Sequence, residues 1–286
     1  MNPAVTIKLF LPHGDPKKVR TAEISNWSGK AVAAPRVDLE HLLARAEMSK
    51  PGVYILLGVD EATGGPLAYV GEAEVVGDRL KQHKGKEFWH SAIVFVSKDE
   101  NLTKSHIRHL EGRIISTAQK IGRCTVTNAM ASGAHLPESD THDMDVYFER
   151  IVQLLPVLGS DMLTPVAPKP TETAPGEIFM VARKGASAKG VRSPNGFVIF
   201  SGSTAALNER PSAQIHAGWI LALRDELLKK GALLPENGYL RFTKDVEFAS
   251  PSAAAGVVFG GNAAGPAVWK NVSGMTLKEF EGEGPG

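Results

Sequence analysis

Two short apolar runs rich in β-prone residues, 51–57 and 67–71, lie in the first half of the chain. A turn-rich stretch containing Gly and Pro, residues 60–66, separates them. Apolar β-prone runs joined by such a stretch indicate a β-hairpin. The pattern therefore predicts two antiparallel strands, each of which carries one tyrosine, Tyr54 in the first and Tyr69 in the second.

The predicted register brings these two tyrosines together. If Leu57 pairs with Pro66, Tyr54 lies directly opposite Tyr69, and cross-strand partners share one face of a sheet. Two phenol groups then point the same way, and Gly71 beside them lets a ligand approach the backbone closely. The alternative is an ordinary hairpin whose tyrosines pack in a core, and the hairpin pattern alone leaves both interpretations open.

Helical spacing follows on the C-terminal side of the hairpin. Apolar residues repeat at this spacing in 73–83 and 103–121, and Thr103 is suited to cap the second helix. Residues 91–97, which lie between the two helices, predict a third strand. On the other side of the hairpin, residues 1–49 predict a small β-rich unit that ends in a short helix.

Composition shifts divide the chain into segments. Prolines and threonines concentrate in 164–175, which predicts an extended, semi-rigid linker. An acidic helix near 140–158 precedes the linker, and further strands and a helix follow it. The predicted organisation is a β-rich N-terminal extension at 1–49, a first domain at 50–136, an acidic helix and linker at 137–176, a small α+β domain at 177–281 and a tail at 282–286.

Charge is distributed unevenly along a nearly neutral chain. The sequence has 32 Lys and Arg against 31 Asp and Glu, so its formal net charge is +1. Residues 137–176 hold two basic and seven acidic residues, which leaves +6 on the rest of the chain. Because basic surfaces are common on soluble proteins, this remainder supports a polyanionic partner only weakly.

Cysteine content and hydropathy narrow the class of protein. One cysteine, Cys124, excludes a disulfide within the chain and a cysteine-based metal cage. A single thiol suits a reducing compartment, so a cytoplasmic location is expected. No stretch of about 18 apolar residues occurs, so no membrane span is expected. Nothing in the sequence indicates an oligomeric state.

The hairpin and the polar residues after it carry a family resemblance. Gly52-Val53-Tyr54 and Tyr69-Val70-Gly71 resemble the two motifs of the GIY-YIG nuclease family, each with Val in place of Ile. The resemblance covers about residues 51–130 and includes an arginine on the next helix, a histidine before the third strand, a glutamate on the long helix and an asparagine near the end of the domain. These four residues are Arg79, His90, Glu111 and Asn128.

The resemblance implies a fold, an activity and a set of residues. The implied fold is α+β, with a small antiparallel three-stranded sheet flanked by helices. The implied activity is that of a metal-dependent endonuclease, in which Tyr54, alone or with His90, activates water and Tyr69 positions the phosphate or that water. The implied metal is Mg²⁺ at Glu111, with Mn²⁺ as a substitute. The implied catalytic residues are Tyr54, Tyr69, Arg79, His90, Glu111 and Asn128.

The chemistry of these side chains agrees with the implied roles. A carboxylate such as Glu111 is a hard oxygen ligand, and one carboxylate with waters and phosphate suits Mg²⁺. The alternative is a surface glutamate paired with Lys104, Arg108 or Arg113. Phosphate contacts are expected from Gly71, Lys81 and His83, and Arg79 and His83 are spaced i, i+4 on one helix face. For His83, a solvated basic face is the alternative.

The second domain also carries a resemblance. Ser250–Ala255, Gly260–Gly265 and Trp269-Lys270 resemble a small RAMA-like domain that accompanies restriction endonucleases and adenine methylases. Ser203-Thr204-Ala205 also fits an uncharacterised domain found C-terminal to some GIY-YIG nucleases. Ser250 or Ser252 is expected to cap a helix that Trp269 covers. Possible phosphate contacts in this domain are Lys184, Lys189, Arg192 and Lys270.

These expectations combine into a functional hypothesis with alternatives. The leading one is a DNA endonuclease in restriction, phage defence or DNA processing. One alternative is an inactive nucleic-acid-binding or adaptor protein, in which the fold survives without cleavage. Another is a nuclease that acts on RNA or on modified or branched DNA. Sequence alone does not separate these substrates, nor does it say whether Tyr54 or His90 finally accepts the proton.

Overall fold

The structure is a computed structural model. It describes residues 4–61, 64–99, 101–128, 134–166, 175–183, 185–211, 213 and 217–282. The chain forms two compact units, an N-terminal unit of residues 1–164 and a C-terminal unit of residues 165–286. Most of the predicted Pro/Thr linker and of the tail lies outside the described residues. Among the described helices, none is long and apolar enough to cross a membrane.

One mixed sheet forms the centre of the N-terminal unit. Its strand order is β1-β2-β3-β6-β4-β5-β7, and neighbouring strands are antiparallel except for the parallel pair β5 and β7. These strands span Ile7–Phe10 (β1), Arg20–Ile24 (β2), Gly29–Pro35 (β3), Gly52–Val59 (β4), Pro66–Ala73 (β5), Trp89–Ser97 (β6) and Thr125–Val126 (β7). The helices of this unit are Leu39–Leu43 (α1), Val76–Gln82 (α2), Lys104–Ile121 (α3) and Glu138–Val157 (α4).

The predicted hairpin is present, but its predicted register is wrong by two residues. Tyr54 pairs with Gly71, and Tyr69 pairs with Leu56. The strands extend further toward the turn than expected, because Asp60 closes a short loop through backbone hydrogen bonds with Gly64 and Gly65. Side chains alternate with a period of two along a strand, so a shift of two residues leaves both tyrosines on the predicted common face.

The N-terminal strands belong to the same sheet as the hairpin. Strand β3 pairs with β6 along its whole length, from Gly29 opposite Ser97 to Pro35 opposite Ser91. The predicted three-stranded sheet is thus one part of a larger sheet, and the α+β class is confirmed. The sequence indicates this central position through β6, where the continuous apolar run 92–96 is typical of a strand that is buried on both faces.

Helices cover both faces of this sheet. Helices α3 and α4 pack on the face that carries Val53, Ile55 and Phe95. Thr103 caps α3 as predicted, since its side chain accepts a hydrogen bond from the His106 backbone N–H. The acidic helix α4, which the sequence assigns to a connector, belongs to this core because its apolar stripe is buried there.

The opposite face of the sheet carries Tyr54, Leu56 and Trp89 in a second apolar cluster, together with residues of α1 and α2. Both faces of β4 are therefore buried, and Tyr54 has no exposed surface. A tyrosine held in this way has one fixed position, so its hydroxyl group can be placed accurately against partners on the next helix.

The C-terminal unit contains two small antiparallel sheets. One has the order β14-β10-β9-β8 and the other β11-β13-β12. The strands span Ile178–Arg183 (β8), Ala186–Ser193 (β9), Gly196–Ile199 (β10), Thr204–Ala206 (β11), Leu233–Glu236 (β12), Tyr239–Phe242 (β13) and Val246–Phe248 (β14). The helices span Gly218–Lys229 (α5), Pro251–Phe259 (α6), Gly265–Val268 (α7) and Leu277–Gly282 (α8).

Two predictions for this unit are confirmed. The Ser250 side chain caps α6 by accepting a hydrogen bond from the Ala253 backbone N–H. Trp269 is fully buried, and its indole N–H donates to the carbonyl of Pro251 at 2.9 Å. Of the basic residues expected to contact phosphate, Lys184 lies outside the described residues, and Arg192 forms an ion pair with Glu281.

Candidate active site

Three aromatic side chains meet on the face of β4 and β5 that α2 covers. The Tyr54 hydroxyl lies 2.9 Å from Nε2 of His83. The Tyr69 ring lies 6.2 Å from the Tyr54 ring and 4.8 Å from the His83 ring, measured between centroids. His83 follows the last turn of α2, so the helix and the hairpin together hold a phenol–imidazole pair.

The Tyr54 phenol is protonated at neutral pH. Burial raises the pKa of Tyr54 well above its ordinary value, and the neighbouring Tyr69 raises it further. The Arg79 guanidinium acts on the Tyr54 pKa in the opposite direction and does not outweigh burial. The interaction with Tyr54 raises the pKa of Arg79, so this guanidinium stays charged beside the phenol. Arg79 also donates to the Gln82 side chain at 2.8 Å.

His83 is buried, which rules out the alternative of a solvated basic face. Its side chain is 3% exposed, and burial lowers its pKa to about 4, with Lys86 and Arg79 adding to the shift. The imidazole is therefore neutral at pH 7. Its Nδ1 atom is buried without a hydrogen-bond partner among the described residues. The sequence placed His83 among phosphate contacts, whereas the structure places it directly on Tyr54.

Gly71 makes room for Tyr54, which corrects its expected role in ligand approach. A Cβ atom added at Gly71 would overlap the Tyr54 Oη and Cζ atoms and lie 2.8 Å from Cε1. The space beside this glycine is therefore filled by the phenol ring. Gly71 is needed because its strand partner across the hairpin is the buried tyrosine.

Gly71→Ala is expected to displace the Tyr54 ring and to lower the free energy of unfolding by about 1–3 kcal/mol, since overpacking strains a close-packed core. Gly85→Ala is the matched control, because no atom lies within 4 Å of a Cβ added there. Urea unfolding of both variants measures the difference. Equal stability of the two would contradict the assigned role of Gly71.

Asn128 extends the pairing of β7 with β5. Its side-chain Oδ1 accepts a hydrogen bond from the Val70 backbone N–H at 3.1 Å, and its Nδ2 donates to the Val70 carbonyl. The preceding Thr127 backbone N–H donates to the Ala68 carbonyl at 2.9 Å. The Asn128 side-chain amide thus pairs with the Val70 backbone as the backbone of a neighbouring strand would. It holds the segment of β5 that leads into Gly71. These contacts give it a positioning role.

Glu111 lies on α3, which packs on the opposite face of the sheet from Tyr54. The helix runs along β5, because Lys104 near its start pairs with Glu72 at 2.8 Å, and Thr125 just after its end pairs with Leu67. Glu111 lies between these two points and is half-buried. Two of the cations that the sequence offered as its partners are engaged elsewhere, Lys104 with Glu72 and Arg113 with Asp145.

A metal at Glu111 would depend on ligands beyond the protein. Among the described residues, no group of three or more His, Cys, Asp and Glu side chains is arranged to hold an ion. Magnesium commonly binds through one or two carboxylates and completes its shell with waters and substrate phosphate. A single half-buried carboxylate fits that pattern, and it does not fit a protein cage for zinc.

His90 and Lys81 are not in contact with Tyr54. His90 is exposed at an irregularity near the start of β6, whereas Tyr54 pairs with Val94. Four residues of strand separate His90 from Val94, which is about 13 Å. His90 lines a cavity of about 320 Å³ at the end of the sheet. Lys81 is exposed and forms an ion pair with Asp78 at 3.0 Å. The imidazole that meets the phenol is therefore that of His83.

Two further residues beside the site escaped the sequence analysis. The Lys86 ammonium lies over the Tyr69 ring, 4.9 Å from its centroid. Arg36, which follows β3, donates to the carbonyls of Lys84, Lys86 and Trp89, and its guanidinium stacks on the Trp89 ring. The indole N–H of Trp89 in turn donates to the His83 carbonyl at 3.1 Å. Arg36 therefore fixes the loop between α2 and β6.

Comparison with known proteins reaches only the C-terminal unit. Residues 179–281 match a protein family described as a domain of unknown function (DUF4357). No curated protein and no solved structure matches the chain. The match covers β8 through α8 and leaves the N-terminal unit to be interpreted from its own residues.

Proposed function

We propose that the N-terminal unit is a metal-dependent endonuclease that hydrolyses phosphodiester bonds in DNA. The observation that carries this proposal is the buried contact of 2.9 Å between the Tyr54 hydroxyl and His83 Nε2, with the Arg79 guanidinium acting on the pKa of the same phenol. The adjacent antiparallel strands β6, β4 and β5, covered by helices on both faces, support the resemblance to GIY-YIG nucleases. A role in restriction, phage defence or DNA processing follows as part of the same proposal.

The phenol–imidazole pair supplies a route for a proton. Hydrolysis requires that the attacking water lose a proton, and a protonated phenol accepts one only if its own proton leaves. His83 Nε2 is the neighbouring acceptor, and at pH 7 the imidazole is neutral and able to take that proton. A bound phosphate diester brings negative charge, which favours the imidazolium. Tyr54 and His83 then act together as the general base, in place of Tyr54 with His90.

Cations beside the pair suit a phosphate group. Arg79 is exposed and its charge acts on the Tyr54 phenol, and a planar guanidinium binds phosphate through two parallel hydrogen bonds. Lys86 over the Tyr69 ring adds a second positive charge. Tyr69 then orients the phosphate or the water against the phenol.

Glu111 is the residue that would hold the ion, Mg²⁺ or Mn²⁺. When bound, such an ion would stabilise negative charge on the phosphate and on the leaving oxygen. The contribution of the chain is the half-buried carboxylate on α3, which Lys104 and Thr125 place along β5.

Supercoiled plasmid with Mg²⁺ tests the activity. We expect the native chain to nick or cut it, and we expect Glu111→Gln to slow cleavage by at least about a hundredfold, since metal binding depends on the carboxylate. Glu74→Gln is the matched control, because Glu74 is an exposed glutamate at the end of β5. Equal cutting by all three proteins would contradict the assigned role of Glu111.

Substrate panels separate the alternatives. Labelled duplex, single-stranded, forked and modified DNA, together with RNA, are incubated with Mg²⁺ or Mn²⁺. Cleavage confined to RNA, or to modified or branched DNA, would replace the proposed substrate. Tight binding without cleavage in every arm would instead support a nucleic-acid-binding adaptor.

A further inference from the structure

Two arginines of the C-terminal unit lie over one aromatic ring. The guanidinium carbon of Arg183, at the end of β8, is 5.9 Å from the centroid of the Phe259 ring, and that of Arg210 is 5.4 Å from it. Phe259 is the last residue of α6 and is 5% exposed. Arg210 is also fixed by its backbone N–H, which donates to Gly260, and by a side-chain hydrogen bond of 3.2 Å to the Asn262 carbonyl.

These two cations differ from the other described arginines of the unit. Each of the others approaches a carboxylate: Arg192 contacts Glu281, Arg224 contacts Glu209 and Arg241 contacts Glu236. Within the described part of the unit, neither Arg183 nor Arg210 forms an ion pair with a carboxylate.

The two guanidinium groups also act on each other. Burial lowers the pKa of Arg210, and the neighbouring charge of Arg183 lowers it further. Like charges held close together without a counter-charge are unfavourable, and an anionic ligand that reaches both relieves the repulsion. The Asn262 carbonyl and the Phe259 ring hold the Arg210 side chain, so little of its freedom is left to lose when a ligand binds.

We propose that Arg183 and Arg210, arranged on Phe259, bind the phosphodiester backbone of nucleic acid. Guanidinium groups match the oxygens of phosphate in bidentate geometry, and a nucleic-acid strand presents successive phosphates at short intervals. Neighbouring phosphates of one strand offer an anion to each of the two cations. This site lies in the unit of unknown function and goes beyond the proposed catalysis.

The salt dependence of binding tests this site in the full chain. Fluorescence anisotropy of a labelled duplex DNA in EDTA, at salt concentrations from about 50 to 200 mM, measures affinity without cleavage. The double variant Arg183→Gln, Arg210→Gln is expected to bind about tenfold more weakly, with the slope of log K against log salt reduced by about 2. The double variant Arg192→Gln, Arg241→Gln removes the same charge from ion-paired arginines and is expected to leave the slope unchanged.

The binding experiment can fail independently of the cleavage assay. Equal slope changes in both double variants would overturn the site, because net charge alone would then explain binding. The variant Arg183→Lys, Arg210→Lys keeps both charges and covers the case in which the glutamine pair unfolds. It is expected to keep the slope, and a slope that falls by about 2 would overturn the proposal. The same duplex made of RNA shows which nucleic acid is preferred, and a chain that binds but never cuts leaves this site intact.

Discussion

Tyr54→Phe is expected to lower the rate of plasmid cleavage by about a hundredfold to ten-thousandfold, the range in which general acid–base groups contribute. The substitution keeps the buried ring and removes the oxygen that lies 2.9 Å from His83 Nε2. The variant therefore lacks the phenol oxygen through which the attacking water is proposed to pass its proton to His83. Single-turnover cleavage with saturating DNA measures the chemical step.

Tyr147→Phe is the matched control for this substitution. Tyr147 is also buried, and its hydroxyl donates to the Val96 carbonyl at 2.8 Å on the other face of the sheet. Its loss is expected to cost about 1 kcal/mol of stability and to leave the cleavage rate unchanged at 25 °C. Equal rates for the two phenylalanine variants would contradict a role for Tyr54 in proton transfer.

The pH dependence of cleavage identifies the partner of the phenol. Since the proposed route needs a neutral His83, and its pKa in the DNA-free protein is lowered to about 4, the cleavage rate at limiting DNA is expected to stay level from pH 8 to about pH 5 and to fall below it. His90→Gln should retain this limb, and His83→Gln should lose it along with most of the activity. A limb that disappears with His90 would transfer the role to that residue.

Acidification from pH 7 to pH 4.5 is expected to remove roughly 2 kcal/mol of the stability of the N-terminal unit through His83 alone. Its pKa is lowered from 6.5 to about 4 in the folded state, so the unfolded chain takes up the proton first. The contribution is complete above about pH 6.5 and is lost as the pH falls toward 4. The full shift corresponds to about 3 kcal/mol.

Urea unfolding at the two pH values measures this loss. His83→Gln removes the titrating group and is expected to abolish the difference, whereas His41→Gln, at an exposed histidine, should leave it in place. The titration of Glu47 does not account for this difference in stability. Hydrogen bonds from Arg45 and Lys30 outweigh its burial and lower its pKa from 4.5 to about 2, so its contribution is lost only below pH 4.5. An unchanged acid loss in His83→Gln would contradict the assignment.

Local patterns predicted the parts of the fold that depend on neighbours in sequence. The hairpin, the α3 helix with its Thr103 cap and the Ser250 cap each follow from a few adjacent residues. The common face of Tyr54 and Tyr69 was also predictable, because the alternation of side chains survives a register error of two residues. The pairing of β3 with β6 was not, since it joins strands about 60 residues apart and depends on the whole sheet.

In the candidate site, too, local features were predictable and distant contacts were not. Residue types and order pointed to Tyr54, Tyr69 and Arg79, which the structure brings together. Sequence reasoning favoured His90 as the partner of the phenol, because it cannot measure the distance along β6 that separates them. Helical spacing placed His83 on the face of Arg79 without showing that this face is buried. No local sequence pattern indicated the role of Arg36, since the carbonyls that accept its hydrogen bonds belong to a loop about 50 residues away.

The pairing of β3 with β6 has a consequence for the boundaries of the nuclease-like segment. A chain that begins at residue 50 would leave seven residues of β6, Ser91–Ser97, with an open hydrogen-bonding edge, and apolar side chains lie on both faces of this strand. Such an edge is a template for pairing with other chains. Without Arg36, the loop that leads from His83 into β6 would also lose its carbonyl contacts. We therefore expect the segment that resembles a nuclease to need residues 20–36 and α4 in order to fold, and a transplant of the proposed activity should carry them along with it.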